Sequence, residues 1–290
     1  MATCIRFIGS PWGPAPVSHL HGMLLVMVKD MKTGRPDQPG GPASPATRWI
    51  SVSSTRAYLE CPRRYWYGYV ARLPEDRPVP PSWRVGSAVH AALEAAYRHQ
   101  AAEPSGRLSD GLTAALTALS SAWHRYQLQG TDRSYTQAAR WVRQTLHADV
   151  LRTSDVLGVE EPLRDTSAER HRIIGFADLL LGRGEGVIEV VDHKVTRRQA
   201  AEHEVADDLQ LNLYGALVQH RWGDRVRVRA TLHYPVVPSA VTVPLSSSGM
   251  QAARDRVREV ADRARADDVY EPVPGGHCGS CPWQLRCPAG

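Results

Sequence analysis

Ile173-Ile174-Gly175-Phe176-Ala177-Asp178-Leu179-Leu180-Leu181-Gly182-Arg183-Gly184-Glu185-Gly186-Val187-Ile188-Glu189-Val190-Val191-Asp192-His193-Lys194 decides how this chain folds. Two apolar runs flank a glycine-rich link, Gly182 to Gly186, which predicts a hairpin turn between strands over 172–181 and 187–195. Side chains on a strand alternate between faces, so Ile188, Val190, Asp192 and Lys194 share one face and Val191, His193 and Val195 the other. A carboxylate and an ammonium two residues apart at a strand end are costly to bury without a purpose. Asp178 adds a second acid inside the first run, and the hairpin can bring it to Asp192, although the sequence leaves the register open. Two carboxylates near one point repel unless a cation sits between them, and oxygen ligands favour hard ions such as Mg²⁺ or Mn²⁺. The plainer alternative is a strand-end ion pair between Asp178 and Lys194.

The flanking segments change texture several times. Residues 1–48 stand apart: Lys32 to Thr47 is crowded with Gly, Pro, Ser and Asp, which predicts a disordered extension, with Met23 or Met31 as alternative starts. At Ile50-Ser51-Val52-Ser53-Ser54 a serine is expected to cap a helix over 55–61. The aromatic stretch Tyr65-Trp66-Tyr67-Gly68-Tyr69-Val70 follows, then a proline-rich turn over 74–81. From Gly86, the three- and four-residue recurrence of Val89, Leu93, Ala96 and Tyr97 predicts a helix, and further helices fit 108–127 and 135–151. Strand texture begins at Val159, with Glu160 and Glu161 on the strand before the hairpin. A helix over 207–219, strands over 225–234 and 240–245, and a helix over 248–266 complete the reading. There is no internal repeat, and the order of elements is that of an α/β core with a helical elaboration.

The tail His277-Cys278-Gly279-Ser280-Cys281-Pro282-Trp283-Gln284-Leu285-Arg286-Cys287-Pro288 carries three of the five cysteines, spaced C-x2-C-x5-C. A fourth, Cys61, stands far upstream in Leu59-Glu60-Cys61-Pro62-Arg63-Arg64, and Cys4 belongs to no spacing pattern. Four thiolates make one tetrahedral set for zinc or for an iron–sulfur cluster. Zinc sites usually pair two short knuckles, whereas here the split is one plus three, with proline after Cys61, Cys281 and Cys287. Cys-Pro also occurs in ferredoxin-type ligand runs. His277, a spare ligand, keeps zinc open. Joining residue 61 to residue 278 would offset a loop-closure entropy on the order of 4–5 kcal/mol, by analogy with a long-loop disulfide. The expected role is this structural clamp, and a redox or DNA-sensing role stays open beside it.

With 290 residues, 42% of them hydrophobic, the chain can bury one substantial core, with room for a small subdomain. The net charge of +5 and pI near 9.1 come mostly from arginine, which permits a nucleic-acid partner, although a GC-rich genome gives the same bias. The apolar run Met23 to Val28 is too short to span a bilayer and lacks a small-residue cleavage site. The expectation is no membrane partner and a reducing cytoplasm, where clustered cysteines hold metal more often than they form disulfides. No G-x-x-x-x-G-K-S/T loop occurs, so a helicase motor would have to come from a partner chain.

Asp178, then Asp192-His193-Lys194, then Gln210-Leu211-Asn212-Leu213-Tyr214 resemble the PD-(D/E)xK nuclease superfamily. More narrowly they resemble the RecB-like exonucleases, which include the AddB C-terminal nuclease domain and the CRISPR-adaptation nucleases. Gly86-Ser87-Ala88-Val89-His90 matches that group's GxxxH element, and Cys61-Pro62-Arg63-Arg64-Tyr65 its CPRRY-type segment. The cysteine triplet matches its four-cysteine iron–sulfur staple. The resemblance spans roughly residues 50 to 290 and implies a restriction-endonuclease-like core: a central mixed sheet flanked by helices, with an Fe–S-clamped terminal region. On this view a nuclease domain occupies 49–290, with a helical elaboration over about 90–152, a catalytic core over about 158–245 and the Fe–S region over 270–290.

The resemblance also implies roles. Asp178, Asp192 and His90 would be ligands for Mg²⁺ or Mn²⁺, with the His193 carbonyl a third kind of donor. Lys194 would be the catalytic lysine, and Gln210 and Tyr214, one helical turn apart, would orient substrate or site. Glu160 or Glu161 could add an outer ligand. Many relatives carry Glu where this chain has the shorter Asp192. Cys61, Cys278, Cys281 and Cys287 would hold a 4Fe–4S cluster, with zinc the alternative. Read without the resemblance, His90 is a capping or core histidine, and Gln210 with Tyr214 a polar face opposite Leu209, Leu213 and Leu217.

The expected function is therefore a metal-dependent DNA nuclease acting on ends or single strands, in DNA repair, recombination or CRISPR-type DNA processing. Its partners would be DNA and a helicase or adaptation protein. The main alternative is a catalytically inactive nuclease fold that binds DNA or a partner and is stabilised by a Cys4 metal site. The intact Asp178, Asp192 and Lys194 set argues against it. A zinc-stabilised structural protein would explain the cysteines but not the hairpin acids.

Overall fold

A computed structural model of the chain describes residues 49–77, 80–128, 132–151 and 155–289. The two runs form β2 (Ile173–Gly182) and β3 (Val187–His193), an antiparallel hairpin in which Leu179 faces Val191 and Leu181 faces Glu189. Gly184 and Gly186 hold φ of 73° and 71°, a left-handed backbone that glycine adopts without steric cost. β1 (Asp155–Asp165) pairs antiparallel with β2, β4 (Arg227–Tyr234) runs parallel to β3, and β5 (Ser239–Pro244) pairs antiparallel with β4. The sheet is mixed, in the order β1-β2-β3-β4-β5.

Local chemistry sets the helix ends. In α1 (Val52–Glu60), the Ser51 hydroxyl accepts from Ser54 N–H and the Ser54 hydroxyl accepts from Ser51 N–H. This reciprocal cap starts the helix three residues before the expected 55. The helix stops before Cys61, whose extended backbone (φ −161°) suits a residue that precedes proline. Pro81 stands at the start of α2 (Pro81–Ala102), so the proline-rich turn feeds directly into that helix, five residues before Gly86. α3 (Leu112–Arg125), after a tight turn over Leu108–Gly111, and α4 (Asp132–Ala148) occupy the next two predicted helices. The crossover that the parallel β3–β4 pair requires contains two helices rather than one over 207–219. The Asp208 carboxylate accepts from Gln210 and Leu211 N–H and begins α6 (Leu209–Trp222) after the short α5 (Glu202–Ala206). α7 (Ser247–Ala266) is capped by Ser246.

The sheet is covered on both faces, which is why its central strands read as continuous apolar runs. Leu180, Ile188 and Val190 pack with Leu211, Leu213 and Leu217 of α6 and Val257 of α7. Leu179, Leu181 and Val191 pack with Val89 and Leu93 of α2, Leu119 of α3 and Val142 of α4. The tail returns to the segment after α1: Trp283 Nε1 donates to the Leu73 carbonyl at 3.2 Å, and Arg286 pairs with Asp76 at 2.9 Å. A Cβ on Gly68 would lie 2.9 Å from the Trp283 ring, so glycine is what lets the tail seat there. The predicted extension over 1–48, including Cys4, lies outside the described residues. No described helix is long and apolar enough to cross a membrane.

Candidate active site

The hairpin register, continued one step past Leu179 and Val191, sets Asp178 across from Asp192. Both are buried, at 8% and 5% exposure. Asp192 is held from two sides: Gln210 Nε2 donates to Oδ1 at 2.5 Å, and Lys194 Nζ lies 2.6 Å from Oδ2. Asp178 Oδ2 accepts the His193 backbone N–H at 2.8 Å and lies 3.5 Å from His90 Nδ1. Burial pushes the Asp192 carboxyl up, and the Asp178 charge pushes it further, against the opposing pull of Lys194 and His90.

His90, Glu160 and Asp178 bring one donor atom each to within 4.8 Å of one another. Glu160 sits at φ 51°, an uncommon backbone for this residue type, kept here where its carboxylate joins the site. Glu161 turns away and pairs with Arg221. The structure thus moves Glu160 inward from the outer position that the sequence allowed to either glutamate. Adjacent residues on a strand point opposite ways, but nothing in the sequence says which of the two faces inward.

Tyr214 stands over Gly175 of β2, where any Cβ would run into its ring. Burial, then the charges of Asp192 and Asp178, push its phenol up, so it stays protonated and can donate. Tyr214 is buried, on a helix buried from Leu211 to Val218, whereas Gln210 at its start is half-buried. Arg56 of α1, which the sequence did not single out, donates to Gln210 Oε1 at 3.3 Å and to Asp208 at 3.2 Å. The peptide of His193 belongs to the site, but its ring turns away from the acids. It stacks on Tyr97 (5.5 Å, 12°) and meets His90 and His233 edge-on. Burial, then the His90 charge, lower His233 to about 4, so it is neutral in its 2.8 Å contact with His193 Nδ1.

An imidazole with carboxylates, beside a further buried acid, makes a nitrogen–oxygen donor set that fits a hard divalent ion of the Mg²⁺ or Mn²⁺ kind. An ion there would relieve the repulsion between Asp178 and Asp192.

The four described cysteines are not in disulfides, and all four, Cys61, Cys278, Cys281 and Cys287, line one cavity with Tyr67 and His277. Backbone N–H groups point at two sulfurs: Val273 to Cys61 at 3.5 Å and Gly275 to Cys278 at 3.3 Å. Burial pushes the Cys281 thiol up, and the neighbouring Cys61 and Cys287 add to the shift. Four thiols that line one partly buried cavity offer the donor set of a zinc or iron–sulfur site.

A helix-covered mixed sheet that carries an acid–x–lysine at the end of a central hairpin strand, with a second acid opposite, defines a nuclease-type α/β core. The chain belongs to the PD-(D/E)XK nuclease superfamily, whose family model matches residues 49–288. In fold it is similar to the crystal structure of a protein assigned as an exonuclease from Eubacterium rectale, at 12% identity and TM-score 0.53, over 85% of this chain and 92% of that one. The crystal structure of SSO0001 aligns over 94% of this chain and 98% of that one, at 13% identity and TM-score 0.39. None of the curated proteins matches the chain.

Proposed function

We propose that the protein is a divalent-metal-dependent deoxyribonuclease, an exonuclease directed to DNA ends or single strands, at work in DNA repair, recombination or CRISPR-type processing. The observation that carries this reading is the meeting of His90, Glu160 and Asp178 beside the Asp192–Lys194 pair in a chain of this superfamily. Mg²⁺ or Mn²⁺ held by His90, Glu160 and Asp178, with Asp192 alongside, would supply Lewis acidity toward the phosphodiester and lower the pKa of the attacking water. Lys194, with 37% of its side chain exposed, is placed to leave Asp192 for a phosphate oxygen and neutralise charge that develops there. Gln210 fixes the orientation of Asp192, and the protonated Tyr214 offers a hydrogen bond beside the acids. The Eubacterium rectale protein of similar fold, assigned as an exonuclease, supports the exonuclease reading.

The four cysteines are proposed to hold a 4Fe–4S cluster that staples the tail to the segment after α1. The one-plus-three ligand split supports iron over zinc, and the N–H groups aimed at two sulfurs suit thiolates bound to either metal. A reducing cytoplasm suits these thiols. A helicase or adaptation protein is the partner that the resemblance to the RecB-like nucleases suggests.

The test is cleavage of end-labelled single- and double-stranded DNA by protein purified without oxygen, with Mg²⁺, Mn²⁺ or EDTA, beside Lys194→Ala. Metal-dependent cleavage that Lys194→Ala abolishes, with a ladder that starts at one end, is the expected result. DNA binding without cleavage, by protein that retains its metal, would replace this reading with the binding-module one.

A further inference from the structure

Trp83 is 51% exposed, whereas the other described tryptophans are buried or half-buried. One exposed apolar side chain is ordinary on a protein surface, so its place has to carry the argument. Trp83 stands in the first turn of α2, seven residues before His90. Seven residues on a helix return to within about 20° of the same direction and rise about 10.5 Å. Ser87 falls between them on that stripe, and Tyr97, two turns beyond His90, stacks on the His193 ring. The stripe therefore runs past the candidate active site. Tyr97 is at its buried end, His90, 28% exposed, in the middle, and Trp83 at the end open to solvent. Among the described residues, neither a ring nor a cation packs on the Trp83 indole.

The surroundings suit a polyanion. A Cβ on Gly86, one turn past Trp83, would lie 3.9 Å from the Val195 Cβ, so the first turns of α2 pack against the segment that follows Lys194. That segment exposes Arg197, which makes no ion pair among the described residues, whereas Arg198 is taken by Glu204. Lys194 is itself 37% exposed, so the site opens on the side where these groups stand.

We infer that Trp83 is a stacking residue for single-stranded DNA: its indole takes one base of the strand whose phosphate lies between His90 and Lys194. The inference rests on the nuclease reading, which supplies the strand. At about 3.4 Å per nucleotide of a stacked strand, a rise of about 10.5 Å corresponds to about three nucleotides, and to fewer if the strand is extended. Stacking accepts every base because each has a π-face, so this grip adds affinity without reading sequence. It also sets a register, since a base held at Trp83 fixes which phosphate reaches the metal ligands.

The test moves one abasic site along a fluorescein-labelled oligothymidylate and measures its binding to the full-length protein by anisotropy, without divalent metal. In wild type one register is expected to cost about five-fold or more in affinity, the low end for one stacked base. Trp83→Ala is expected to weaken binding of the intact strand by a similar factor and to lose that register dependence, because the missing base no longer has a partner. Trp83→Phe keeps a ring and is expected to keep the dependence, and both variants should melt with wild type. A Trp83→Ala protein that binds as wild type, or that weakens every register alike and retains the dependence, would overturn the inference. Wild-type affinity indifferent to abasic position, or no binding of the oligonucleotide at all, would overturn it without any variant. Cleavage with Mn²⁺ is read separately: a protein that cuts without a Trp83 register remains a nuclease without the stacking residue, and one that shows the register without cutting loses only the nuclease reading.

Discussion

Gln210 reaches Asp192 across the crossover, its amide donating to Oδ1 at 2.5 Å while Lys194 holds the opposite oxygen. An acid gripped on both oxygens is fixed in orientation before any ion arrives. Gln210→Ala frees one oxygen without altering charge, and cleavage is expected to fall by about 10- to 100-fold, as for the removal of a group that orients a metal-site ligand. Gln210→Glu adds a negative charge against Asp192 and is expected to be worse than Ala at every metal concentration. A Gln210→Glu protein as active as wild type would remove the amide from the machinery.

Glu160 and Glu161 make an internal control, being neighbours with opposite surroundings. Glu160 shares a 4.8 Å cluster with His90 and Asp178, whereas Glu161 pairs with a half-exposed Arg221, an arrangement worth about 0–1 kcal/mol. Titration of Mn²⁺ followed by calorimetry is expected to show Glu160→Gln weaker by on the order of ten-fold or more, because a charged ligand is lost. Glu161→Gln is expected to bind as wild type. Equal affinities for the two variants would take Glu160 out of the site.

Much of this site was readable because the hairpin is strongly coded. Its glycine link sets the turn, and period-two alternation puts Asp192 and Lys194 on one face. The choice between Glu160 and Glu161 was not readable, because it depends on an irregularity in the β1–β2 register between Val156 and Gly158 and on the left-handed backbone at Glu160. Arg56 left no signal for a different reason: α1 is brought to α6 by the Ile50–Ile173 bridge, a contact between segments more than a hundred residues apart. The plainer alternative of a polar face on α6 does not hold for Tyr214, which the sheet covers, while Gln210 is half-buried and turned to Asp192. Tyr65 to Val70 read only as an aromatic stretch, while the structure stacks Tyr65 on Tyr69 and on Tyr270.

Asp165, at the end of β1, is fully buried and accepts from the Ser167 N–H at 3.0 Å and hydroxyl at 2.5 Å. His220, Arg254 and Arg258 stand 3.6–3.7 Å away. Burial alone would raise its carboxyl, but the Ser167 hydrogen bonds with His220 and Arg254 outweigh it, and the group ends below the usual carboxylate range. A depressed folded pKa contributes stability above the unfolded value of about 3.9, and that stability is lost as pH falls through the folded value. Asp165→Asn is therefore expected to lower urea stability at pH 7 by about 1–3 kcal/mol, less than a fully buried pair because the arginines keep some solvent contact. The gap between wild type and variant is expected to narrow below pH 4. A gap that stays constant with pH would assign the loss to packing instead.

The cysteine cavity brings Cys61 together with a tail more than two hundred residues away, so a metal held there would act on the whole domain. Cys4, outside the described residues, provides the control. Cys61→Ser is expected to lose iron, or zinc if zinc is the native metal, and to unfold at lower temperature. The chain-entropy part of that loss is on the order of 4–5 kcal/mol. Cys4→Ser is expected to keep both metal content and melting temperature. The tail also holds by protein contacts alone, Trp283 on Gly68 and Arg286 on Asp76. The variant should therefore stay folded, with the 278–287 segment released to a protease first. If Cys61→Ser keeps full metal content, the ligand set is wrong. His277, whose Nε2 is buried without a protein hydrogen-bond partner, is then the replacement ligand to test.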